Sequence, residues 1–271
     1  MTKGVLVFAF NNESIDYVKQ AKNLAMRMER FCNLPTSIVT DVDVRTTVFD
    51  RVIKVDVKDY TAKIYNNGHG SESLSFKNTA RAESFDLSPY DETLVVDSDV
   101  IVCDSQLSNC FDQPNDLCMY RDAYDLAQTR NYKEFDKISE TGVDFYWATC
   151  VFFRKTAVNK IFFDLVKHIS ENWKHYRMTY QITQQTFRND FAFSIAAHIM
   201  NGHTKGDFVN PMPGKLFYTL DKDILVKMTN RRLTFLVDDG NNKFTPIKTK
   251  DMTIHAMNKF SLEELLWVKV F

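Results

Sequence analysis

Residues 91–103, DETLVVDSDVIVC, carry acidic side chains inside an otherwise apolar run. The segments 93–96 and 100–102 predict a strand that is buried on both faces. Side chains alternate along a strand, so Asp97 and Asp99 are expected to point to the same side. Adjacent carboxylates repel each other unless a cation lies between them, which favours a bound divalent ion such as Mg²⁺ or Mn²⁺. A solvated turn between two strands is the competing interpretation.

Strands and helices alternate on the N-terminal side of this stretch. Apolar runs suited to strands occupy residues 5–10, 36–40 and 51–55, and a helical pattern occupies residues 16–30. This alternation predicts an α/β fold, with a mainly parallel Rossmann-type sheet flanked by helices, in a single domain of residues 1–271. Ligands of such sheets bind at the carboxyl ends of the strands, where Asn11, Asp41 and Asp97 are expected. No GxGxxG or GxxxxGK[ST] motif follows the first strand, which argues against a dinucleotide fold or a P-loop kinase.

The composition is that of an ordinary globular protein, because 44% of the 271 residues are hydrophobic and 25% are charged. No apolar run approaches the roughly 20 residues of a membrane span, and the N-terminus carries no secretory signal pattern, so a soluble, cytoplasmic protein without a membrane partner is expected. The five cysteines form no CxxC pair, which favours free thiols. Residues 1–150 hold 16 Lys/Arg and 24 Asp/Glu, whereas residues 151–271 hold 18 and 11. The basic second half suits an anionic acceptor or partner.

The strand that ends in Asp-Ser-Asp, with Lys77 and Arg81 upstream of it, resembles the Asp-x-Asp signature of glycosyltransferases with the GT-A fold. The resemblance implies that the acidic pair holds Mn²⁺ or Mg²⁺ on the diphosphate of a nucleoside-diphosphate sugar, with a UDP-sugar as first choice. Asp99 would bind the ion directly, and Asp97 would contact the ion or the ribose. Lys77 and Arg81, on one face of a helix predicted at residues 75–85, would help to bind the donor. Solvated helix cations are the alternative for both.

In GT-A enzymes the first strand with its loop, and an acidic residue after the second strand, contact the nucleoside. By this resemblance Phe10, Asn11 and Asp41 take those places. An ordinary turn and helix start at Asn11 and Asn12 is the competing interpretation. Further along the chain, a flexible loop is predicted at residues 66–71, and loop with short helix at residues 104–144.

Two later segments resemble the acceptor side of the same family. Residues 145–153 form an aromatic strand in which Ala148 and Thr149 replace the Asn-Gly type residues of the family. The segment 187–194 resembles the start of a helix whose acidic residue contacts the transferred sugar or the acceptor. Asp190 is therefore the candidate for sugar binding or acid/base catalysis. Helix capping and the helix dipole explain an Asp in this position equally well.

His255 follows a short strand near the C-terminus, and Lys259 comes four residues later. This order resembles the third metal ligand and the diphosphate-binding lysine of glycogenin-like GT-A enzymes. An imidazole can ligate Mn²⁺, and an ammonium group can neutralise a departing diphosphate. A histidine of the core or the surface is the alternative. Residues 1–104 would then form the nucleotide-sugar-binding half of the domain, and residues 145–271 the acceptor-binding half.

The function implied by the resemblance is metal-dependent transfer of a hexosyl or pentosyl group to an acceptor hydroxyl, by retaining or inverting chemistry. Similarity to phage-encoded transferases, together with the basic second half, makes a hydroxymethylated base in DNA one acceptor. A hydroxyl of a glycan, lipid or protein is comparably favoured. Outside this class, a metal-dependent nucleotidyltransferase would use similar carboxylates, although the Gly-rich basic loop expected of it is absent. A non-catalytic sugar-nucleotide-binding protein is the third class.

Overall fold

The computed structural model describes residues 1–57, 61–66, 71–77, 79–128, 130, 135–139, 142–238 and 243–267. The strands are β1 (Lys3–Phe8), β2 (Thr36–Thr40), β3 (Val52–Lys54), β4 (Thr61–Asn66), β5 (Ser71–Phe76), β6 (Glu92–Asp97), β7 (Val100–Ile101), β8 (Leu117–Tyr120), β9 (Ala123–Asp125), β10 (Trp147–Arg154), β11 (Asn210–Pro211), β12 (Leu216–Thr219), β13 (Ile224–Met228), β14 (Arg232–Asp238), β15 (Phe244–Lys250) and β16 (Ile254–Ala256). The helices are α1 (Tyr17–Cys32), α2 (Ser84–Leu87), α3 (Ala157–Glu171), α4 (Trp173–Thr179), α5 (Asn189–Met200) and α6 (Lys259–Trp267), with 3-10 turns at Thr79–Glu83 and Gln106–Asp112. Among the described residues, no helix combines the length and the apolar character that crossing a membrane requires.

A seven-stranded sheet forms the centre of the chain, in the order β11-β8-β10-β6-β1-β2-β3. β1 pairs in parallel with both β2 and β6, whereas β10 runs antiparallel to β6. Leu94, Val95 and Val96 of β6 are at most 1% exposed, because both faces of this strand are covered. The parallel strands bring the carboxyl ends of β1, β2 and β6 to one edge, where ligands of such sheets bind. The predicted α/β class with a mainly parallel sheet is confirmed.

The acidic stretch that organises the sequence is not one strand. β6 ends at Asp97, a turn follows at Ser98 and Asp99, and β7 joins a second sheet of order β7-β16-β12-β9. The expectation of a single strand through residues 91–103 is wrong, because the polar residues at its centre favour a turn. The turn has a structural consequence, since β7 pairs antiparallel with β16 and thereby sets His255 opposite Val100.

Two other segments differ from the sequence prediction. The helix predicted at residues 75–85 begins only at Thr79, since Ser75 and Phe76 end β5, which pairs with β4. Glu13 stabilises the end of β5, because its carboxylate accepts hydrogen bonds from the backbone N–H of Ser75 (3.2 Å) and from the Ser75 hydroxyl (2.8 Å). Of the loop predicted at residues 66–71, residues 67–70 lie outside the described residues, and the two flanking residues belong to β4 and β5.

The region 104–144, predicted as loop and short helix, also contains strands. β8 is buried along its whole length and pairs with β10 in the central sheet, and β9 joins the second sheet. Four apolar residues suffice for β8 because its neighbour supplies the ladder of hydrogen bonds. A run of four residues is too short to show the periodicity from which a strand is predicted.

A three-stranded antiparallel sheet, β13-β14-β15, covers a second and smaller apolar cluster. Leu225 and Phe235 point inward from this sheet and belong to the same cluster as Ile254 of β16 and Leu262 of α6. No element is predicted above for the segment that forms it. The assignment of residues 1–271 to one domain with two functional halves stays a prediction.

Candidate active site

Asp97, Asp99 and His255 converge at the carboxyl edge of the central sheet. One ligand atom from each side chain lies within 4.8 Å of the other two. His255 Nε2 is 3.2 Å from Asp99 Oδ2 and 4.0 Å from Asp97 Oδ2. Within the described part of the chain, no other three His, Cys, Asp or Glu side chains are close enough to share an ion. Two carboxylates and one imidazole are suitable ligands for Mn²⁺ or Mg²⁺, so these residues fit the predicted ion.

The second ring nitrogen of His255 has a partner of its own. His255 Nδ1 lies 3.4 Å from the hydroxyl of Thr149, which is buried in β10. A partner at one nitrogen orients the ring and leaves the other nitrogen to face the acids. Thr149 therefore positions the histidine, a role that no pattern in the sequence indicated.

Two cations neutralise the acidic pair. Lys259, the first residue of α6, donates a hydrogen bond of 2.7 Å to Asp99 Oδ2, and Arg81 forms an ion pair with Asp97. Arg81 is 8% exposed and Lys259 is 9% exposed, so neither is a solvated surface charge. Part of the charge balance of the pair therefore comes from the chain itself, through two cations that the resemblance had assigned to the donor rather than to the acids.

The buried pair of Asp99 and Lys259 is strongly ionised. Burial by itself would raise the pKa of the Asp99 carboxyl, but the Lys259 ammonium and His255 outweigh burial and hold that pKa well below its usual range. Burial would likewise lower the pKa of Lys259, and the Asp99 carboxylate reverses this and raises it. Both groups are therefore charged at neutral pH, and each depends on the other.

Asp41 and Lys77 form a second ion pair at the same edge of the sheet. Lys77 Nζ lies 2.5 Å from Asp41 Oδ2, and both side chains are about four-fifths buried. Asp41 Oδ1 is buried and has no hydrogen-bond partner in the described residues. Asp41 therefore acts at this edge through Lys77, whose ammonium group it holds.

Phe10 and Asn11, the other two candidates for nucleoside contacts, occupy different environments. Phe10 lines the cavity described below. The side-chain oxygen of Asn11 accepts a hydrogen bond of 3.1 Å from the backbone N–H of Val18, in the first turn of α1. Asn12 likewise accepts from the backbone N–H groups of Ser14 and Ile15. These two asparagines thus organise the turn and the helix start.

Asp190 lies in the first turn of α5, and both of its carboxylate oxygens are already engaged. Oδ1 accepts a hydrogen bond of 2.8 Å from the backbone N–H of Ala148. Oδ2 accepts two from Arg188, one from Nη2 at 2.6 Å and one from Nε at 3.0 Å. The side chain ties α5 to β10, and it still faces the cavity.

A cavity of about 1030 Å³ joins these groups. Its walls include eight of the predicted site residues, namely Phe10, Lys77, Arg81, Asp97, Asp99, Asp190, His255 and Lys259. Asn11 and Asp41 are not among its lining residues. The volume is at the upper end of the range for small-molecule sites, which leaves room for a nucleotide and a sugar together.

The cavity also contains polar and aromatic residues that the sequence did not single out. Lys63 of β4 lies with its ammonium group 4.8 Å from the ring centre of Phe76 and 5.3 Å from that of Tyr65. Trp147 and Arg188 also line the cavity. Lys63 belongs to a strand without a recognisable pattern, so only the fold shows that it faces the acids.

Comparisons with known proteins give similarities of fold. No protein-family model and no curated protein matches the chain. Among solved structures, a galactosyltransferase LgtC in complex with donor and acceptor sugar analogues is 17% identical, with a TM-score of 0.47 over 71% of this chain and 70% of that one. An active-site mutant of LgtC is 17% identical, with a TM-score of 0.46 over 77% and 72%.

A third solved structure is the glycosyltransferase GlyE of Streptococcus pneumoniae TIGR4. It is 14% identical to this chain, with a TM-score of 0.42 over 78% of this chain and 45% of that one. The chain therefore spans less than half the length of GlyE.

Proposed function

We propose that this chain is a metal-dependent glycosyltransferase that moves a sugar from a nucleoside-diphosphate sugar to an acceptor hydroxyl. One observation carries the proposal: Asp97, Asp99 and His255, from two separate parts of the sequence, meet beside Lys259 in the wall of a large cavity. A site that gathers hard ligands and cations at the carboxyl edge of a mainly parallel sheet suits a diphosphate with a divalent ion.

Asp97, Asp99 and His255 would hold Mn²⁺ or Mg²⁺, which supplies positive charge against the diphosphate of the donor. Lys259 donates a hydrogen bond to one oxygen of Asp99, which supports a role in which its ammonium group would face the leaving diphosphate. Arg81 fixes Asp97 in the same way. Preorganised cations of this kind stabilise charge that develops on a leaving group without having to move.

The nucleoside would lie between Phe10 and the pair of Asp41 and Lys77. Lys77 lines the cavity and can donate a hydrogen bond to the ribose or the base, and Asp41, which does not line the cavity, holds the Lys77 ammonium group in place. Phe10 offers an aromatic surface for the base. Of the nucleotides, a UDP-sugar is our first choice, on the resemblance to GT-A enzymes alone.

For Asp190 we infer sugar binding rather than proton transfer. Oδ1 accepts one hydrogen bond from the backbone and retains capacity for another, whereas Oδ2 already accepts two from Arg188. A carboxylate paired with Arg188 is well placed to orient a sugar hydroxyl, whereas a general base must be able to take up a proton. Asp190→Asn should therefore raise KM more than it lowers kcat, and a large loss of kcat with a shifted pH profile would instead assign acid/base catalysis.

The test is release of nucleoside diphosphate from UDP-, GDP- and ADP-sugars in the presence of Mn²⁺, compared with the same reaction after chelation by EDTA. We expect Asp99→Asn to lose about 100-fold in turnover, the scale of losing one group that stabilises developing charge. Asp43→Asn is the matched control, because the Asp43 side chain is 84% exposed. Equal turnover in Asp99→Asn and the parent would contradict the metal assignment, and exchange of the nucleoside monophosphate group would indicate a nucleotidyltransferase.

A second readout separates metal binding from folding. Asp99→Asn also leaves Lys259 without its partner, so His255→Asn is the second variant. Trp147 lines the cavity, and paramagnetic Mn²⁺ quenches tryptophan fluorescence when it binds nearby. We expect quenching to require less Mn²⁺ in the parent than in His255→Asn. Identical titrations would remove His255 from the metal site even if activity were lost.

For the acceptor, we propose a hydroxyl on a modified base of DNA. Residues 151–271 carry 18 Lys/Arg against 11 Asp/Glu, an excess that suits a polyanion. The base would have to be extruded from the duplex to reach the cavity. Transfer to a neutral saccharide, a lipid or a protein hydroxyl in an acceptor screen, without transfer to DNA, would contradict this acceptor and leave the reaction class intact.

A further inference from the structure

The three-stranded sheet β13-β14-β15 is covered on one face only. Leu233, Phe235 and Val237 of β14 are at most 4% exposed and pack on the smaller apolar cluster. The alternate residues of β14 point outward, from Arg232 at one end to Asp238 at the other, and all are partly or fully exposed. Their exposure shows that no other described element packs over this outer face.

Strand register groups the basic residues of the outer face into two adjacent rows. In the first row, Arg232 of β14 lies opposite Lys250 of β15. In the second row, Lys227 of β13, Thr234 of β14 and Lys248 of β15 lie side by side. We call Lys227, Arg232, Lys248 and Lys250 the cationic rows. All four are exposed.

The cationic rows are almost free of acidic partners. Lys250 lies 3.9 Å from Asp251, which is closer to Arg231. Lys227, Arg232 and Lys248 form no ion pair with any described residue. Like charges directly opposite each other in a sheet destabilise it, so folding gives no reason for this arrangement. Arg232 and Lys250 lie on neighbouring strands, roughly 5 Å apart, and Lys227 and Lys248 lie on either side of Thr234, roughly 10 Å apart. The two rows are roughly 7 Å apart along the strands, so the four cations form a positive strip that suits a line of phosphates.

We infer that the cationic rows bind the phosphate backbone of duplex DNA and so bring the acceptor to the active-site cavity. The inference rests on the proposed function for the link to sugar transfer, but not for the binding itself. The opposite end of the outer face adjoins the cavity, because Asp238 pairs with Lys222, which lines that cavity. The length of β14, roughly 20 Å, equals the rise of about six base pairs, so both places can contact one duplex.

The cationic rows themselves contain no apolar side chain, which favours a nucleic acid over a lipid membrane as the ligand. Ile224, Leu236 and Pro246 lie in the next row, where the two aliphatic chains are only partly exposed. Phe244, which is 46% exposed, lies beyond that row, opposite Asp238 at the far end of the outer face. Binding to a membrane surface usually combines basic residues with apolar side chains that enter the hydrocarbon. Phosphate contacts without deep apolar insertion are typical of nucleic-acid binding.

The experiment measures binding of a random-sequence DNA duplex over a range of salt concentrations, without donor sugar. The variant carries Lys227→Gln, Arg232→Gln, Lys248→Gln and Lys250→Gln together. A control variant removes four scattered exposed cations, by Lys3→Gln, Arg45→Gln, Lys174→Gln and Lys205→Gln, and so has the same net charge. We expect the cationic-row variant to lower the slope of log K against log salt by about 3 to 4, at ~0.9 for each lost phosphate contact, and the control to change it much less.

Three results would overturn the inference. The parent could fail to bind duplex DNA, the cationic-row variant could bind as well as the parent, or the control could weaken as much as that variant. Vesicles of phosphatidylserine and phosphatidylcholine form a second arm, and binding to vesicles but not to DNA would make the outer face a membrane surface. Release of nucleoside diphosphate without acceptor is measured on the same variants and should match the parent. Failure of that activity in every protein would contradict the proposed function and leave the DNA result standing.

Discussion

The acidic cluster of the cavity and the cationic rows of the outer sheet face differ in whether their charged side chains are buried and in whether they are paired. In the cluster, Asp99 and Lys259 are more than nine-tenths buried and directly paired. In the rows, Arg232 and Lys248 are exposed and make no ion pair with a described residue. Buried charges are tolerated only when they are paired, whereas exposed charges are nearly neutral to folding. The difference separates a preorganised site, which the fold depends on, from a binding surface, which it does not.

The largest effect is expected from breaking the buried pair. Lys259→Met leaves the Asp99 carboxylate buried beside His255 alone, and we expect the free energy of unfolding to fall by about 3 to 5 kcal/mol. Asp99→Asn should cost a similar amount, because it leaves a buried ammonium group. Urea unfolding at neutral pH measures both.

The double variant Asp99→Asn with Lys259→Met shows whether the two charges act as a pair. It should be less destabilised than the sum of the single variants, since no uncompensated charge remains. Lys54→Met is the exposed control, because Lys54 pairs with Asp43 in solvent, and it should hardly change stability. If the losses in the free energy of unfolding were strictly additive, Asp99 and Lys259 would not be energetically coupled. The contrast between paired buried charges in the cluster and unpaired exposed charges on the outer face would then weaken.

Much of the acidic cluster could be predicted from the sequence, whereas little of the cationic rows could. The Asp-Ser-Asp stretch carries a local pattern, and a resemblance directed attention to His255 and Lys259 although their distance from it in sequence is uninformative. The turn that detaches β7 from β6, and so sets His255 opposite Val100, depends on pairing between segments about 155 residues apart. No local sequence pattern predicts pairing between strands so far apart in the chain. The same holds for Lys63 of β4, which faces the acids only because its strand folds over the cavity.

The cationic rows show more clearly what cannot be predicted from the sequence. The sequence shows an excess of basic residues in its second half, but it does not show which of them share a surface. Lys227, Arg232 and Lys248 become neighbours through the register of three strands, and a shift by one residue would turn β14 over. Composition can therefore predict that a polyanion binds, and only the register indicates where.

An intermediate effect is expected at Asp223, which lies between the two regions. Asp223 is 1% exposed, and its carboxylate accepts hydrogen bonds from the backbone N–H groups of Leu220 (2.8 Å) and Asp238 (3.4 Å), with no ion pair in the described residues. Burial raises the pKa of Asp223 from 3.8 to about 6. The folded state therefore keeps a proton that the unfolded state has already lost between pH 4 and pH 6.

The stability that Asp223 contributes is thus present below about pH 4 and is lost as the pH rises through 6. At about 1.4 kcal/mol per pKa unit the loss amounts to a few kcal/mol. Asp223→Asn removes the titrating group and keeps an oxygen for Leu220, so the variant should gain stability relative to the parent as the pH is raised from 4 to 7. Unfolding curves at several pH values measure the difference, and Asp43→Asn serves as the exposed control. A difference that does not change with pH would show that Asp223 is ionised without penalty.

The smallest effect is expected where the contrast between the two regions is tested most directly. Replacing all four cations of the cationic rows by Gln should change the free energy of unfolding by no more than about 0.5 kcal/mol, as for most surface substitutions. The sign should be a slight gain at low salt, because Arg232 no longer faces Lys250, and the gain should vanish at high salt as the repulsion is screened. Denaturant unfolding at two salt concentrations resolves both points. A loss of several kcal/mol would mean that these cations hold the sheet together, and their exposure would then be no evidence for a ligand.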